Sequence, residues 1–468
     1  MPNTNFVKSE RSQIIVVFAL GITMLVLAVG LAIDAGLCYV AKAKLSAAVD
    51  GACLAGMKTL QQGQPTATTI AQDVFYANYG ANPPIPAVTF PVNSSGNQQV
   101  EVTATTNVHT LFMQIIPNLR TVAVSDTAVA TRGKLIMTIV LDRSGSMCGG
   151  TGKNKCPGTT TGDDGGDAIQ AAVPTFVNNF DQTSGTGDEI GLVSFSSNST
   201  INFAINYGFK TSINGDVSSM VFTGGTFGTG IGTGSLLSST EGPPLSLAGA
   251  QNDGVTIPSG QNVVKVVVYF TDGLMNAVQD NFHCMGKSNS TLTLLNYGGY
   301  DASGGSDVAI LDPTSATNQF DTWVPGTSSY FSYDGNSSHK CTDSSGNYVT
   351  KFPSQQSGTQ VAFSRTAVTT EAKWRANKTA TALRSEASHP NYIYTIGLGS
   401  AISGDSTTQM FLKEIANDPT ADTYNSSQAI GEFFLVPDCP STPATTCNNE
   451  VMKVFQTIAA KVLLRLTQ

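Results

Sequence analysis

The sequence predicts a protein of the α/β class, in which a doubly wound sheet domain follows an N-terminal transmembrane helix and a small α+β stalk-like module. Two observations lead to this prediction. From residue 134 onwards, short β-branched and apolar runs alternate with longer segments of helical periodicity, as in a parallel sheet covered by helices. Near the N-terminus, an uncharged apolar stretch is long enough to cross a bilayer.

The composition is that of a folded protein with an acidic balance. The chain has 468 residues, of which 41% are hydrophobic and 12% charged, and its formal net charge is −8. This hydrophobic fraction is ample for a packed core, and the length allows about two or three domains. Because the chain lacks the clustered positive charge of a nucleic-acid-binding surface, we expect no nucleic acid among its partners.

The first element is an apolar helix. Residues 14 to 33 carry no charge and lie between Arg11 and Asp34. At about 1.5 Å per residue, a helix of this length crosses a hydrocarbon core about 30 Å thick. We therefore predict one transmembrane helix over about residues 14 to 36. A cleaved signal peptide is the alternative, although its apolar region is usually only about 7 to 15 residues long.

The helical pattern continues beyond the apolar stretch. Small and apolar residues recur at helical spacing to about residue 60 without a Pro or a Gly pair, so we expect the helix to project past the membrane. We assign residues 1 to 60 to this segment. Residues 61 to 133 contain alternating polar and apolar positions and an SSGN turn, which predict a small, β-rich α+β module.

The remaining residues, 134 to 468, form the predicted doubly wound domain. An insertion over about residues 275 to 358 interrupts it, and this insertion is rich in Gly, Ser, Asn and Asp. The last helical segment, NEVMKVFQTIAAKVLLRL, contains three basic residues and an apolar stripe. We expect it to pack on the sheet as an amphipathic helix rather than to span a membrane.

Oxygen-bearing side chains follow two buried strands and one Gly pair. TIVLDRSGSM ends a strand with Asp142, Ser144 and Ser146, FTGGT ends with Thr226, and VVKVVVYFTDG ends a second strand with Asp272. The carboxyl ends of parallel strands meet at one edge of a sheet, so these loops can pool ligands there. Carboxylate and hydroxyl oxygens suit a hard cation such as Mg²⁺. The alternative is that the Asp142 loop only caps a turn or helix.

This order of D-x-S-x-S, Thr and Asp-Gly resembles the metal-ion-dependent adhesion site of von Willebrand factor type A (vWA) domains, over residues 134 to 468. The resemblance implies a Rossmann-like fold and a bound Mg²⁺, or Mn²⁺ or Ca²⁺. It implies hydroxyl ligands from Ser144, Ser146 and Thr226, with Asp142 and Asp272 bound directly or through water. It also implies that an acidic side chain of a partner protein completes the coordination of the ion.

The insertion departs from a minimal vWA domain. Because it begins directly after Asp272-Gly273, its root lies at the predicted ligand edge. It either shapes the metal face and sets the choice of partner, or is a variable surface loop. The sequence leaves both interpretations open.

The N-terminal segment, notably FALGITMLVLAVGLAIDAGLCYVAKAKLSAAVDGACLAG, resembles the TadE/TadG-like proteins of Tad (Flp) pilus-assembly systems. The resemblance implies a role in pilus assembly or pilus-linked surface adhesion at a bacterial cell membrane. Local charge does not set the orientation, since two basic residues precede the span and two follow it. The family resemblance and the cysteines favour a cytoplasmic N-terminus and an extracytoplasmic C-terminal domain.

Eight cysteines fall into two groups. Six lie beyond the anchor, and in an oxidising compartment we favour the pairs Cys148–Cys156, Cys284–Cys341 and Cys439–Cys447. Cys38 and Cys53 are fifteen residues apart (53 − 38), about 22 Å along a continuous helix, which is too far for a disulfide. They are either small buried residues or bridges to another copy or partner.

Two other metal sites are weaker alternatives. A zinc site could use His283, Cys284, His339 and Cys341, but their spacing follows no familiar zinc finger. A second cation could bind Asp163, Asp164 and Asp167, although Asp167 also suits the first turn of the next helix.

The sequence favours a binding protein over an enzyme. Its four histidines form no H-E-x-x-H motif, and GTGIGTGS lacks the Lys of a P-loop. We therefore expect a membrane-anchored protein that binds a protein ligand through its cation and has no catalytic residues. A structural envelope scaffold, in which the metal only stabilises loops, is the alternative.

Overall fold

The structure is a computed structural model that describes residues 7–143, 147, 165–195, 199–222, 244–273, 277–280, 284–288, 291–295, 298–301, 309–311, 351–362, 365–437 and 445–466. Contacts divide the chain into two compact units, Met1–Arg132 and Gly133–Gln468. The predicted segments 1 to 60 and 61 to 133 thus belong largely to one unit.

The first unit is built on one long helix. Its elements are α1 (Val7–Thr59), α2 (Gln64–Tyr79), β1 (Ala87–Thr89), β2 (Gln98–His109) and β3 (Thr121–Arg132). Helix α1 has the length and apolar character needed to cross a membrane, and no other helix among the described residues passes that test. Its end at Thr59 confirms the predicted continuation beyond the apolar stretch.

The second half of α1 packs on α2 and on the antiparallel sheet β1-β2-β3. Small residues permit the close approach, since a Cβ added at Gly56 would lie 3.2 Å from both the Ala71 Cβ and a Val100 methyl. Cys53 is buried in this core, and its thiol donates to the carbonyl of Val100 at 3.0 Å. Cys38 and Cys53 form no disulfide with each other, as their separation along a continuous helix predicts.

The second unit begins with a strand, helix and strand pattern and then reaches the insertion. Its first elements are β4 (Lys134–Asp142), α3 (Gly165–Val177), β5 (Glu189–Phe195), β6 (Ser199–Asn206), α4 (Phe209–Ser218), α5 (Pro244–Gly254) and β7 (Val263–Thr271). The insertion contributes short strands: β8 (Ala277–Asp280), β9 (Cys284–Ser288), β10 (Thr291–Leu295), β11 (Gly298–Asp301), β12 (Ala309–Leu311) and β13 (Lys351–Pro353).

The unit ends with β14 (Gln360–Ala362), α6 (Arg365–Arg384), β15 (Asn391–Leu398), α7 (Ser400–Ser403), α8 (Ser406–Ala416), β16 (Glu432–Val436) and α9 (Thr445–Arg465). The insertion strands pair antiparallel in the small sheets β12-β11-β8, β10-β9 and β13-β14. They do not join the main sheet in the part of the chain that the structure describes.

The main sheet has the order β16-β15-β7-β4-β5-β6, counted over the described strands. All neighbours are parallel except β5 and β6. Helices α3, α4 and α9 cover one face, and α5, α6 and α8 cover the other. Every residue of β4 is buried, which explains its continuous apolar run. The predicted doubly wound fold is confirmed, and α9 packs on the sheet through Phe455, Ile458 and Val462.

Candidate metal site at the carboxyl edge of the sheet

Two of the predicted ligands end neighbouring strands. Strands β4 and β7 are parallel, and Leu141 pairs with Phe270. The next residues are Asp142 on β4 and Thr271 on β7, so they end side by side at a strand spacing of about 4.8 Å. Asp272 directly follows Thr271. The structure therefore brings the strand ends that carry Asp142 and Asp272 to one place.

The Asp142 carboxylate is completely buried and is oriented by Thr271. The Thr271 hydroxyl donates to Asp142 Oδ2 at 2.8 Å, and the same hydroxyl oxygen accepts from the N–H of Gly273 at 3.2 Å. Thr271 thus connects the carboxylate of one strand to the turn that carries Asp272 on the next. A buried charge is costly unless hydrogen bonds or an opposite charge compensate it, so this arrangement suits a cation.

Tyr269 lies on the same face of the sheet, two residues before Thr271. Its ring is buried and stacks on Phe195, with 5.4 Å between the ring centroids. Burial raises the pKa of Tyr269 well above its ordinary value, and the negative charge of Asp142 raises it further. Within the described residues the Tyr269 hydroxyl has no hydrogen-bond partner. The buried charge of Asp142 and the unpartnered hydroxyl of Tyr269 are consistent with a site that binds a hard cation through oxygen ligands.

Both ends of the D-x-S-x-S loop are fixed. At its start, the N–H of Arg143 donates to the carbonyl of Phe195 at 2.8 Å and extends the ladder between β4 and β5. At its end, Met147 is buried in the core. A Cβ added at Gly165 would lie 2.8 Å from the Met147 methyl, so the start of α3 packs closely on it. In the sequence, Ser144 and Ser146 fall between these two fixed residues.

The other predicted ligands, Ser144, Ser146 and Thr226, lie outside the described residues. No group of three or more His, Cys, Asp or Glu side chains that could hold a metal occurs among the residues that the structure does describe. The donor set expected here differs from such a cluster, because it contains only two carboxylates and otherwise hydroxyls.

The alternative metal sites and the predicted disulfides lie only partly within the described residues. Asp167 lies in the first turn of α3, where the helix dipole favours a carboxylate. Cys284 and Cys447 lie on β9 and α9. The remaining members of these predicted sites and pairs lie outside the described residues: Asp163, Asp164, His283, His339, Cys148, Cys156, Cys341 and Cys439.

A series of buried hydrogen bonds lies behind the site, and no sequence motif predicts it. The Thr138 hydroxyl donates to the Asn252 side-chain oxygen at 2.8 Å. The Asn252 amide donates in turn to the Val266 carbonyl at 2.9 Å and to the Asn391 side-chain oxygen at 2.7 Å. This series connects α5 to β4, β7 and β15, and it lies on the same sheet face as Asp142.

Family models match both the N-terminal segment and the sheet domain. Residues 13–64 match the Tad family model, described as Flp pilus-assembly TadE/G-like. Residues 137–307 match the von Willebrand factor type A domain. No curated protein matches the sequence.

Similar solved structures share little sequence with the chain. The PilB minor pilin from Streptococcus sanguinis is 11% identical, with 82% of this chain and 79% of that chain covered and a TM-score of 0.36. The vWF domain of the type V pili tip protein Mfa5 from Porphyromonas gingivalis is 13% identical, with 72% and 98% covered and a TM-score of 0.34. Proximal thread matrix protein 1 from the mussel byssus, with a zinc-occupied MIDAS motif, is 13% identical, with 69% and 46% covered and a TM-score of 0.30.

Likenesses this distant transfer no function, so the assignment rests on the two family models and on the order of the sheet. The chain combines a TadE/G-like N-terminal segment with a von Willebrand factor type A domain of mixed, Rossmann-like sheet.

Proposed function

We propose that this protein is anchored in a bacterial cell membrane by α1 and binds a protein partner through a divalent cation on its vWA domain. The observation that supports this most directly is the buried Asp142 carboxylate, which Thr271 holds beside the strand end that carries Asp272. The two matched family models support a role in Tad pilus assembly or pilus-linked adhesion.

The cation is Mg²⁺, or Mn²⁺ or Ca²⁺, and its ligands are Asp142, Ser144, Ser146, Thr226 and Asp272. When bound, the ion supplies a Lewis-acidic coordination position for an acidic side chain of the partner. The protein's own residues supply the geometry. Thr271 orients one carboxylate, and the N–H of Arg143 and the buried Met147 fix the ends of the serine loop.

This chemistry is that of a binding protein and not of an enzyme. The partner is a protein with an exposed acidic side chain, and other components of the Tad system are candidates. The N-terminus lies in the cytoplasm and the vWA domain lies outside it, in an oxidising compartment where the three predicted disulfides form. The protein crosses the membrane once.

A structural role is the second candidate, because the Thr271 hydroxyl holds Asp142 to the neighbouring strand end by a direct hydrogen bond. In that case the ion would steady the loops, and the domain would serve as a scaffold.

Asp142→Asn tests the metal site. Calorimetric titration of the detergent-solubilised full chain with Mn²⁺ should give one bound ion, and the variant should lose at least about tenfold in affinity, or about 1.4 kcal/mol. Asp422→Asn, which alters an exposed carboxylate between α8 and β16, is the control and should bind normally. Equal Mn²⁺ affinity in the folded Asp142 variant and the wild type would contradict the site.

Cells expressing Asp142→Asn at the normal protein level separate the two candidate functions. Loss of pili or of surface adhesion, while the vWA domain of the variant stays folded at the growth temperature, supports partner recognition. A lower unfolding temperature with assembly and adhesion intact supports the scaffold.

A further inference from the structure

The connection between β2 and β3 exposes a group of large apolar side chains. We call residues 111–119 the apolar loop. Ile115 is 78% exposed, and Leu111, Phe112, Ile116 and Leu119 are also exposed. A group of exposed apolar side chains of this kind is unfavourable in water and indicates a binding surface.

The apolar loop is attached to α1 at the end of its apolar stretch. The buried Asp34 carboxylate accepts hydrogen bonds from the N–H groups of Leu111 at 2.7 Å, Phe112 at 3.0 Å and Met113 at 2.7 Å. One turn earlier, a Cβ added at Gly30 would lie 2.6 Å from the Phe112 ring, so the ring packs where the helix has no side chain. These contacts fix the loop at the level of residues 30 to 34.

That level is also the predicted membrane boundary. Residues 14 to 33 form the uncharged stretch, which rises about 30 Å and matches the hydrocarbon thickness. The side chains of Leu27, Leu31 and Ile33 in its last turns are exposed. Asp34 therefore directs its charge into the loop backbone and not towards lipid or water.

Most backbone N–H groups of the apolar loop have a hydrogen-bond partner, which lowers the cost of placing the loop in lipid. Asp34 accepts three N–H groups, and short helical turns use others, with the N–H of Ile116 donating to Met113 at 2.9 Å and that of Leu119 to Ile116 at 2.9 Å. The Thr110 hydroxyl donates to the Leu119 carbonyl at 2.6 Å and closes the loop at its base.

Charged side chains begin directly after the loop. Arg120 follows it and is exposed. Two turns beyond Asp34, Lys42 pairs with Asp126 at 2.6 Å and donates to the Ser125 carbonyl at 2.7 Å. Apolar side chains in the loop, followed by basic side chains farther from the span, are the order of groups found at a membrane surface.

We propose that the apolar loop inserts into the lipid leaflet on the carboxyl-terminal side of the α1 span, so that the unit enters the membrane at two places. This inference rests on the proposed anchoring by α1. The occupant is lipid because Phe112 packs on Gly30 within the span, where Leu27, Leu31 and Ile33 are also exposed and apolar.

Tryptophan quenching tests the insertion. The full chain is reconstituted in phosphatidylcholine vesicles with or without bromine on the acyl chains, and Ile115→Trp is compared with Leu25→Trp and Ile85→Trp. Leu25 lies within the span. Ile85 is a matched exposed apolar residue, at 82%, and it precedes Ala87, which pairs with Thr103 about 20 Å along β2 from His109. The wild-type chain, with Trp323 and Trp374, gives the background.

We expect brominated lipid to quench the added fluorescence of Leu25→Trp and Ile115→Trp and to leave that of Ile85→Trp unchanged. Quenching at position 25 without quenching at 115 overturns the insertion alone. In that case blue-shifted emission at 115 together with a cross-linked dimer assigns the loop to a second copy of the chain. No quenching at position 25 overturns the anchoring itself, and with it the basis of this proposal.

Discussion

At the scale of single residues, the position of an acidic side chain decides what it does. Asp34 and Asp142 are both buried carboxylates, but Asp34 accepts three backbone N–H groups while Asp142 accepts a threonine hydroxyl at a sheet edge. The sequence indicated Asp142 because it ends an apolar strand. It indicated Asp34 only as the end of the span, because its partners lie 77 to 79 residues away.

Thr271→Val should lower both the stability of the vWA domain and its affinity for Mn²⁺, although valine has nearly the same volume as threonine. The substitution removes the donor to Asp142 Oδ2 and leaves a buried carboxylate with one bond fewer, which costs about 1–3 kcal/mol of unfolding free energy. Mn²⁺ affinity should fall as well, because the carboxylate loses its orientation. Urea unfolding and Mn²⁺ titration measure the two effects. Thr121→Val, at an exposed strand position, is the control, and equal losses in both variants would contradict the role of Thr271.

At the scale of elements, burial determines what the sequence predicts. Strands β4 and β7 are recognisable because they are buried on both faces and read as apolar runs. Strand β16 was not predicted, because it is short and half-buried at the sheet edge. Helix α4 was also missed, since its packing depends on only Phe209, Ile213 and Val217 within a polar segment.

The residues of the candidate site also differ in how well the sequence predicts their positions. Asp142 and Asp272 adjoin strands, so strand order is enough to bring them together. Thr226 belongs to a Gly-rich segment without strand pattern, and it lies outside the described residues. Its position remains a prediction because no neighbouring strand in the sequence fixes it.

The end of the insertion should be sensitive to acid. Glu371 on α6 is buried and accepts from the Ser354 hydroxyl at 2.6 Å, the Arg375 side chain at 2.7 Å and the Gln355 N–H at 2.8 Å. Burial raises the pKa of Glu371, but the bonds from Ser354, Arg375 and Gln355 lower it more, so the pKa falls below 4.5. The unfolding free energy that these bonds add is fully present above the pKa of Glu371 in the unfolded chain. It is lost as the pH falls through the lower pKa of Glu371 in the folded protein.

Glu371→Gln should therefore lower the unfolding free energy by about 1–3 kcal/mol near pH 7 and should make little difference in strong acid. Denaturant unfolding across this pH range measures the change. Glu450→Gln removes an exposed carboxylate that pairs with Lys453 and should change little at any pH. A deficit for Glu371→Gln that is constant with pH would contradict the assignment to an ionised carboxylate.

At the scale of the whole molecule, the chain joins two units with different tasks. The first carries the apolar helix and the loop proposed to enter lipid, and the second carries the candidate cation site. Both tryptophans, Trp323 and Trp374, belong to the second unit. Tryptophan fluorescence therefore follows the vWA unit alone, whereas far-ultraviolet circular dichroism follows both.

Removal of divalent cations should destabilise one unit and not the other. A ligand that binds only the folded state at a concentration 100 times its Kd adds about 2.7 kcal/mol of stability. We therefore expect a chelator to lower the unfolding temperature seen by tryptophan fluorescence, and excess Mg²⁺ to restore it. The part of the dichroism transition that belongs to the first unit should not move. Asp142→Asn should show no response to either treatment, since it lacks a buried ligand of the ion. A chelator effect that persists in this variant would place the stabilising cation elsewhere in the protein.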